Sequence, residues 1–284
     1  MPQTRKIDSI GLALSGGGTK GIAHIGVLKL MEELNIPTHV VAGTSAGSIV
    51  GSLHAAGHSA DAILEFFMGT SLFSFSNIFS IRRGIRGLLD PEKLYRTFED
   101  MFPEDDFDQM EIPLRIIATD MVRAREALFN RGSVIRATLA SCAFPFVFAP
   151  MEINGRVYCD GGIMNHFPAD VIRRECDHLI GVYVSPLKDV MRDDMNSLFR
   201  IVERSMELKG MLAERQKFVL CDTMIYMDQL QQFDTFDTDS KTMKEIMELG
   251  YEEAQKHEAE FVQLADTYRK SQAGILGDVS DQEA

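Results

Sequence analysis

Cysteine is scarce in this chain of 284 residues, with only Cys142, Cys159, Cys176 and Cys221, and no two of them form a Cys-x-x-Cys pair. Without such spacing neither a disulfide framework nor a zinc site is expected. Long hydrophobic runs are lacking too. None approaches the roughly twenty apolar residues that a membrane-spanning helix needs. Met1 to Lys6 leads into a core strand without the apolar region of a secretory leader. Basic charge is in deficit: 29 Lys and Arg against 42 Asp and Glu leave a net charge of −13. That balance argues against nucleic acid as a partner and against a generally cationic membrane-binding surface. Internal repeats and a clear interdomain linker are missing as well. These absences point to a reduced, cytoplasmic protein. With 45% apolar and 25% charged residues, a sizeable core is expected in a single domain.

The stretch that is most informative is Val40-Val41-Ala42-Gly43-Thr44-Ser45-Ala46-Gly47-Ser48-Ile49-Val50. It reads as a buried strand, then Gly-x-Ser-x-Gly, then a helix, the pattern of a nucleophile elbow that projects one serine hydroxyl from the end of a sheet. Gly43 and Gly47 let neighbouring backbone approach the turn, and the helix N-terminus places positive dipole beside an oxyanion forming at Ser45. The bland alternative is a glycine-rich turn.

Upstream, Ile7 to Leu14 reads as a first strand, Ser15 to Gly21 as a glycine loop, and Ile22 to Leu34 as a helix; Thr38 to Ala42 is the second strand and Ala46 to Ala56 the next helix. This βαβα start implies a parallel sheet with covering helices. The glycine loop also matches Gly-x-Gly-x-x-Gly, but the second strand ends in Ala42-Gly43 without the acidic residue that would hold a ribose. A P-loop fails because glycine, not Ser or Thr, follows Lys20. What stays open is a structural turn, or amides of Gly16 to Gly18 aimed at a developing oxyanion.

Further on, a helix is expected from Ser59 to Met68, another from Pro91 with Asp90 as its cap and Pro103 at its end, and a central strand from Ile112 to Thr119. The segment Phe66 to Leu89 mixes phenylalanines with Arg82, Arg83 and Arg86. It reads either as an interfacial flap over a lipid site or as a cap whose phenylalanines face the core. Glu126 to Asn130 reads as a strand, and Ser133 caps a helix to about Ala140. Ser141 to Pro150 is too apolar for a solvated loop and is expected to line a pocket or pack under one. Met151 to Tyr158 reads as a hairpin turning at Asn154-Gly155. Pro168 to Arg174 is a short helix, Leu179 to Val184 a buried strand, Asn196 to Lys217 a long helix and Val219 to Met227 a late strand. Asp234, Asp237 and Asp239 lack calcium-loop spacing, which favours a solvated loop. Lys241 to Arg269 is a charged amphipathic helix with a kink expected at Gly250, and Ser271 to Ala284 a frayed end.

A serine elbow needs a base, and none of the seven histidines sits in a triad setting; His166 merely lies near Asp160 in sequence. Asp-Gly-Gly at 160–162 is by itself most often a turn. A carboxylate nevertheless serves as base when it hydrogen-bonds the hydroxyl in a partly desolvated pocket, and two following glycines allow close approach.

With these motifs assembled, the chain resembles the patatin-like phospholipase family, in particular its small bacterial cytoplasmic members. The resemblance rests on Gly16-Gly17-Gly18-Thr19-Lys20-Gly21, on Gly43 to Gly47, on Asp160-Gly161-Gly162 with Asn165 and Pro168 after it, and on the loop Ala140 to Pro150. A weaker likeness covers Met247 to Glu252. It implies a three-layer α/β/α fold with a mostly parallel central sheet, a core over about 7–187 and a helical extension over about 188–270. It also implies a serine–aspartate dyad without histidine, cofactor or metal. Ser45 would attack an ester carbonyl of a phospholipid, lysophospholipid or related acyl ester, and Asp160 would act as base. Amides near Gly17 and Gly18, helped by Ala46, would hold the oxyanion. Lys20 stands where the family more often has arginine, so bidentate phosphate contact is lost. The alternatives are acyl transfer on the same dyad, or a regulatory adaptor built on the long charged helices after Asn196. A homodimer and transient contact with the inner membrane face through Phe66 to Leu89 are the further expectations.

Overall fold

The computed structural model describes residues 6–70, 91–145, 147–236 and 239–280. The Phe-rich flap expected at 66–89 therefore lies, beyond Thr70, outside the described residues, as do Asp90 as a helix cap and the last four residues of the expected frayed end.

The chain begins with β1 (Ile10–Leu14), a 3₁₀ turn over Gly18–Ile22, α1 (Ala23–Glu33), β2 (Val40–Thr44) and α2 (Ala46–Ala55). Both helices end as their sequences require. Asn35 and Gly57 take positive φ (53° and 86°), and Ile36 N donates to Met31 O, and His58 N to Leu53 O, closing the orphan carbonyls. Next come α3 (Ala60–Gly69), capped by Ser59, α4 (Pro91–Glu99), β3 (Leu114–Asp120) and β4 (Arg125–Phe129). Ser133 Oγ then accepts from Arg136 N to cap α5 (Val134–Ser141). β5 (Met151–Ile153) and β6 (Arg156–Asp160) form the expected hairpin, with Asn154 and Gly155 both at positive φ, as a primed turn demands. The remainder is α6 (Ala169–Ile172), β7 (His178–Tyr183), α7 (Leu198–Glu214), a 3₁₀ stretch over Arg215–Leu220, β8 (Thr223–Tyr226), α8 (Ser240–Gln255) and α9 (Glu258–Ser280).

The sheet runs β5-β6-β3-β2-β1-β7-β8, with β4 also paired to β3. β3, β2, β1, β7 and β8 pair in parallel; β4 and β6 run antiparallel to β3, and β5 antiparallel to β6. Period-two alternation sorts the central strands between two cores. Leu12, Leu14, Val41, Ile180 and Val182 join the larger one, with α1, α2, α3 and α8. Ala13, Val40, Ala42, Leu179 and Tyr183 join the other, with Phe167 and Ile172. Helices therefore cover both faces.

Two expectations change. The break in the C-terminal helix falls at Lys256–His257, between α8 and α9, and not at Gly250. Gly250 instead serves packing: a Cβ there would sit 2.1 Å from Ala23 O, and one on Gly26 would sit 2.3 Å from Tyr251 N. The backbones of α1 and α8 meet across these two glycines. The expected frayed end is helical through Ser280. β8 lies within the late strand expected at Val219 to Met227 and extends the sheet, and α8 packs on α1. Asp234 pairs with Arg200 and Lys188, and Asp239 caps α8.

Candidate active site

β2 is apolar and fully buried because it lies inside the parallel sheet, and it delivers Ser45 to the sheet's C-terminal end. Ser45 has φ 51° and ψ −124°, a conformation that non-glycine residues rarely adopt. It is held there from both sides. Ser45 N donates to Ser141 Oγ at 2.8 Å, and that hydroxyl donates to Ile117 O at 2.5 Å. Gly47 is obligatory, since a Cβ would stand 2.5 Å from Leu14 O and Ser15 O; one on Gly43 would stand 2.4 Å from Gly47 O. The strand-turn-helix elbow has no room for larger residues at either position.

Asp160 comes from a different part of the chain. It closes β6, paired with Ala118 of β3, and its carbonyl accepts from Thr119 Oγ1 at 2.8 Å. Gly161 lets the turn pass over β3, where a Cβ would lie 2.3 Å from Ile117 O. Ser45 Oγ donates to Asp160 Oδ2 at 2.7 Å, and Gly162 N donates to Oδ1, also at 2.7 Å. Burial raises the Asp160 carboxyl to about 6, and the hydrogen bonds from Ser45 and Gly162 oppose that rise without cancelling it. A carboxylate of this kind can take a proton from the hydroxyl it touches near neutral pH.

The glycine loop arrives from β1. Gly17 and Gly18 line the cavity in front of Ser45, and their amides make no hydrogen bond to another described residue. The Ala46 amide, first in α2, is likewise without an intrahelical partner. Gly16 differs from expectation: its amide donates to His166 O at 3.0 Å and is not free for an oxyanion. Gly16 instead gives clearance, because a Cβ would meet both the His166 ring and Ser45. Gly21 does the same against Ala46, where its Cβ would come within 2.5 Å of the alanine methyl. Lys20 also departs. Its amide donates to Gly17 O, and its buried side chain faces a separate polar cavity with Arg200, Glu203, Glu207 and Asp234. Burial lowers its pKa.

The cavity wall is largely apolar, with Phe144, Phe148, Met206 and Phe236, so the loop expected to line a pocket does so. Cys142 lies there too, and burial pushes its thiol up, so it stays protonated. Asn165 is a clamp. Its carbonyl accepts from Thr44 Oγ1, its amide donates to Glu126 and Asp170, and its side-chain oxygen accepts from Lys217.

Four participants were not legible as such: Ser141, His166, Thr235 and the inner face of α7. Thr235 O accepts from Thr19 N and seats the glycine loop. His166 lines the cavity, but no described residue bonds its buried Nε2. Burial, together with Lys20, Lys217 and Lys209, lowers its pKa to about 4, so the ring is neutral at physiological pH. It is not the partner of Ser45; that is Asp160. His24, His54 and His178 bond Ser15 O, Thr38 Oγ1 and Thr223 Oγ1, which makes them packing residues.

A model of the patatin-like phospholipases matches residues 12–173. The chain belongs to the patatin-like phospholipase family. It is 33% identical over 159 residues to an uncharacterized NTE family protein of Mycobacterium tuberculosis, over 56% of this chain and 44% of that protein. It is 30% identical over 189 residues to the lysophospholipase NTE1 of Saccharomyces cerevisiae, over 64% of this chain and 11% of that protein. The chain thus spans less than half the length of these relatives. Among solved structures, VipD from Legionella pneumophila superposes with a TM-score of 0.55 at 14% identity, over 93% of this chain and 68% of that one. Human GIVD cytosolic phospholipase A2, in complex with a fluorophosphonate inhibitor, gives 0.51 at 11% identity, over 93% and 60%. These two likenesses concern the fold.

Proposed function

We propose that this chain hydrolyses carboxylic esters of phospholipids, lysophospholipids or related acyl lipids through an acyl-enzyme on Ser45. The observation that carries the reading is the 2.7 Å hydrogen bond from Ser45 Oγ to Asp160 Oδ2 on a strained elbow. Ser45 Oγ attacks the ester carbonyl carbon while Asp160 takes its proton. The resulting oxyanion is held by amides of Gly17, Gly18 and Ala46, donors worth roughly 3 kcal/mol each in such sites. The carbonyl–alkoxy bond breaks, and Asp160 returns the proton to the leaving alcohol. Water then gives a proton to Asp160 and attacks the acyl carbon; the bond from that carbon to Ser45 Oγ breaks, Asp160 returns the proton to Oγ, and the fatty acid leaves. The apolar wall around Phe144, Phe148 and Phe236 suits a carbon chain. Family membership and the lysophospholipase name of the yeast relative support the substrate class.

The test is labelling of the purified protein by a fluorophosphonate probe, together with release of acid from a soluble short-chain ester. Ser45→Ala is expected to abolish both. If it retains both, the proposal fails.

A further inference from the structure

α7 is amphipathic in an unusual sense. At about 100° per residue, Leu198, Ile201, Leu208 and Leu212 fall within an arc of roughly 80°, while Glu203, Gly210 and Glu214 lie on the opposite side. The inner side is accounted for. Met206, Glu207 and Gly210 line the cavity of Ser45, the helix packs on the Gly161–Ile163 turn, and Glu214 accepts from His166 N. The outer side is left largely open among the described residues: Leu198 is 66% exposed, Ile201 47%, Leu208 42% and Leu212 76%. Val219, just beyond the helix, is 85% exposed. Most of the exposed large hydrophobics among the described residues lie between Met191 and Val219, which is a patch and not a scatter.

Charge identifies what the patch fits. Between Ser197 and Val219 the exposed charged residues are Lys209 and Arg215, both cationic. The carboxylates of this stretch turn inward: Glu203 pairs with Arg200, Glu207 with Arg204 and Glu214 with Lys217. In a chain of net charge −13, the outer face of α7 exposes apolar residues and cations, with the exposed carboxylates Asp193 and Asp194 confined to the turn before the helix, and such a face is complementary to an anionic lipid surface. A second copy would bring the same cations to itself. The remaining negative charge acts only over a Debye length of about 8 Å at physiological salt. Ser205, in the middle of the arc, donates its hydroxyl to Ile201 O and so carries no unmet donor into the interface.

We propose that the outer face of α7, from Leu198 to Leu212 with Lys209 and Arg215 beside it, docks on an anionic phospholipid bilayer and sets the cavity on its inner side against the lipid. The inference rests on the acyl-hydrolase reading. α7 is one helix thick, about 10 Å, so docking brings the cavity within an acyl chain's reach of the membrane.

The test compares wild type with Leu198→Asp/Leu212→Asp and with Lys209→Glu/Arg215→Glu. All four sites are exposed and none belongs to the proposed catalytic set. Co-sedimentation with phosphatidylcholine vesicles containing phosphatidylglycerol is expected to fall at least tenfold for both variants, and lipid turnover on those vesicles with it. Turnover of a soluble short-chain ester is expected to stay within about twofold of wild type. Wild type that does not sediment, or variants that bind vesicles as well as wild type does, would overturn the proposal. So would sedimentation velocity showing a dimer that Leu198→Asp/Leu212→Asp dissociates, since the face would then belong to a second copy. Absence of soluble-ester turnover by wild type, with vesicle binding and its loss still seen, would instead remove the hydrolase reading and leave the docking face standing.

Discussion

Asp160 carries two opposed demands. Its folded pKa of about 6 lies above the value near 4 of a free carboxyl. The folded chain therefore binds this proton more tightly than the unfolded one. The stability it confers is complete below about pH 4 and is lost as pH rises toward 6. Above that, keeping the buried carboxylate ionised costs about 3 kcal/mol. Two results are expected. Ester kcat/KM of the wild type should rise with pH through an apparent pKa near 6, and a profile flat from pH 5 to 8 would remove Asp160 as base. Asp160→Asn should lower turnover by orders of magnitude while melting higher than wild type at pH 8, an advantage that disappears near pH 4. At this scale the sequence was partly legible. Ser45 is readable because Gly-x-Ser-x-Gly is a local spacing, and Asp160 became readable through the family resemblance. That the Gly16 amide is occupied by His166, and that Lys20 points away from the cavity, depends on residues distant in the chain.

Elements hold the site through backbone proximity more than through side-chain bulk. The elbow lies on the carbonyls of Leu14 and Ser15 with no space for a methyl at Gly47. Gly47→Ala is expected to destabilise the fold by about 1–3 kcal/mol, the usual range for overpacking, and to move Ser45 off Asp160. Thermal melting and ester turnover should fall together, and an unchanged melting temperature would show that the elbow relaxes. Turn and cap signals were readable because they act within a few residues: Asn154-Gly155, Ser133, Ser59 and Gly57 all stand where their chemistry places them. Gly250 was not readable in the same way. A glycine inside a helix is the same letter whether the helix bends there or another helix crosses it.

Over the whole molecule, the meeting of α1 and α8 joins the first fifty residues to the last fifty. Gly250→Ala would push a methyl to 2.1 Å from Ala23 O, and α1 follows directly from the glycine loop. We expect the variant to lose about 1–3 kcal/mol in thermal or denaturant unfolding. If stability is unchanged, the segment after residue 188 behaves as an appendage, as its charged composition suggests. What the sequence determined by itself is what local spacing and period encode: strands, turns, caps, the elbow serine and a sheet with helices on it. Tertiary structure decided the rest. It chose which strand lies beside which, which amides are already bonded, and which side of α7 is covered. The physical reason is that hydrogen-bond partners and buried faces are settled by pairing across more than a hundred residues. Val184 N donates to Ser15 Oγ, and Ser45 Oγ to Asp160. No periodicity in the chain records such pairs.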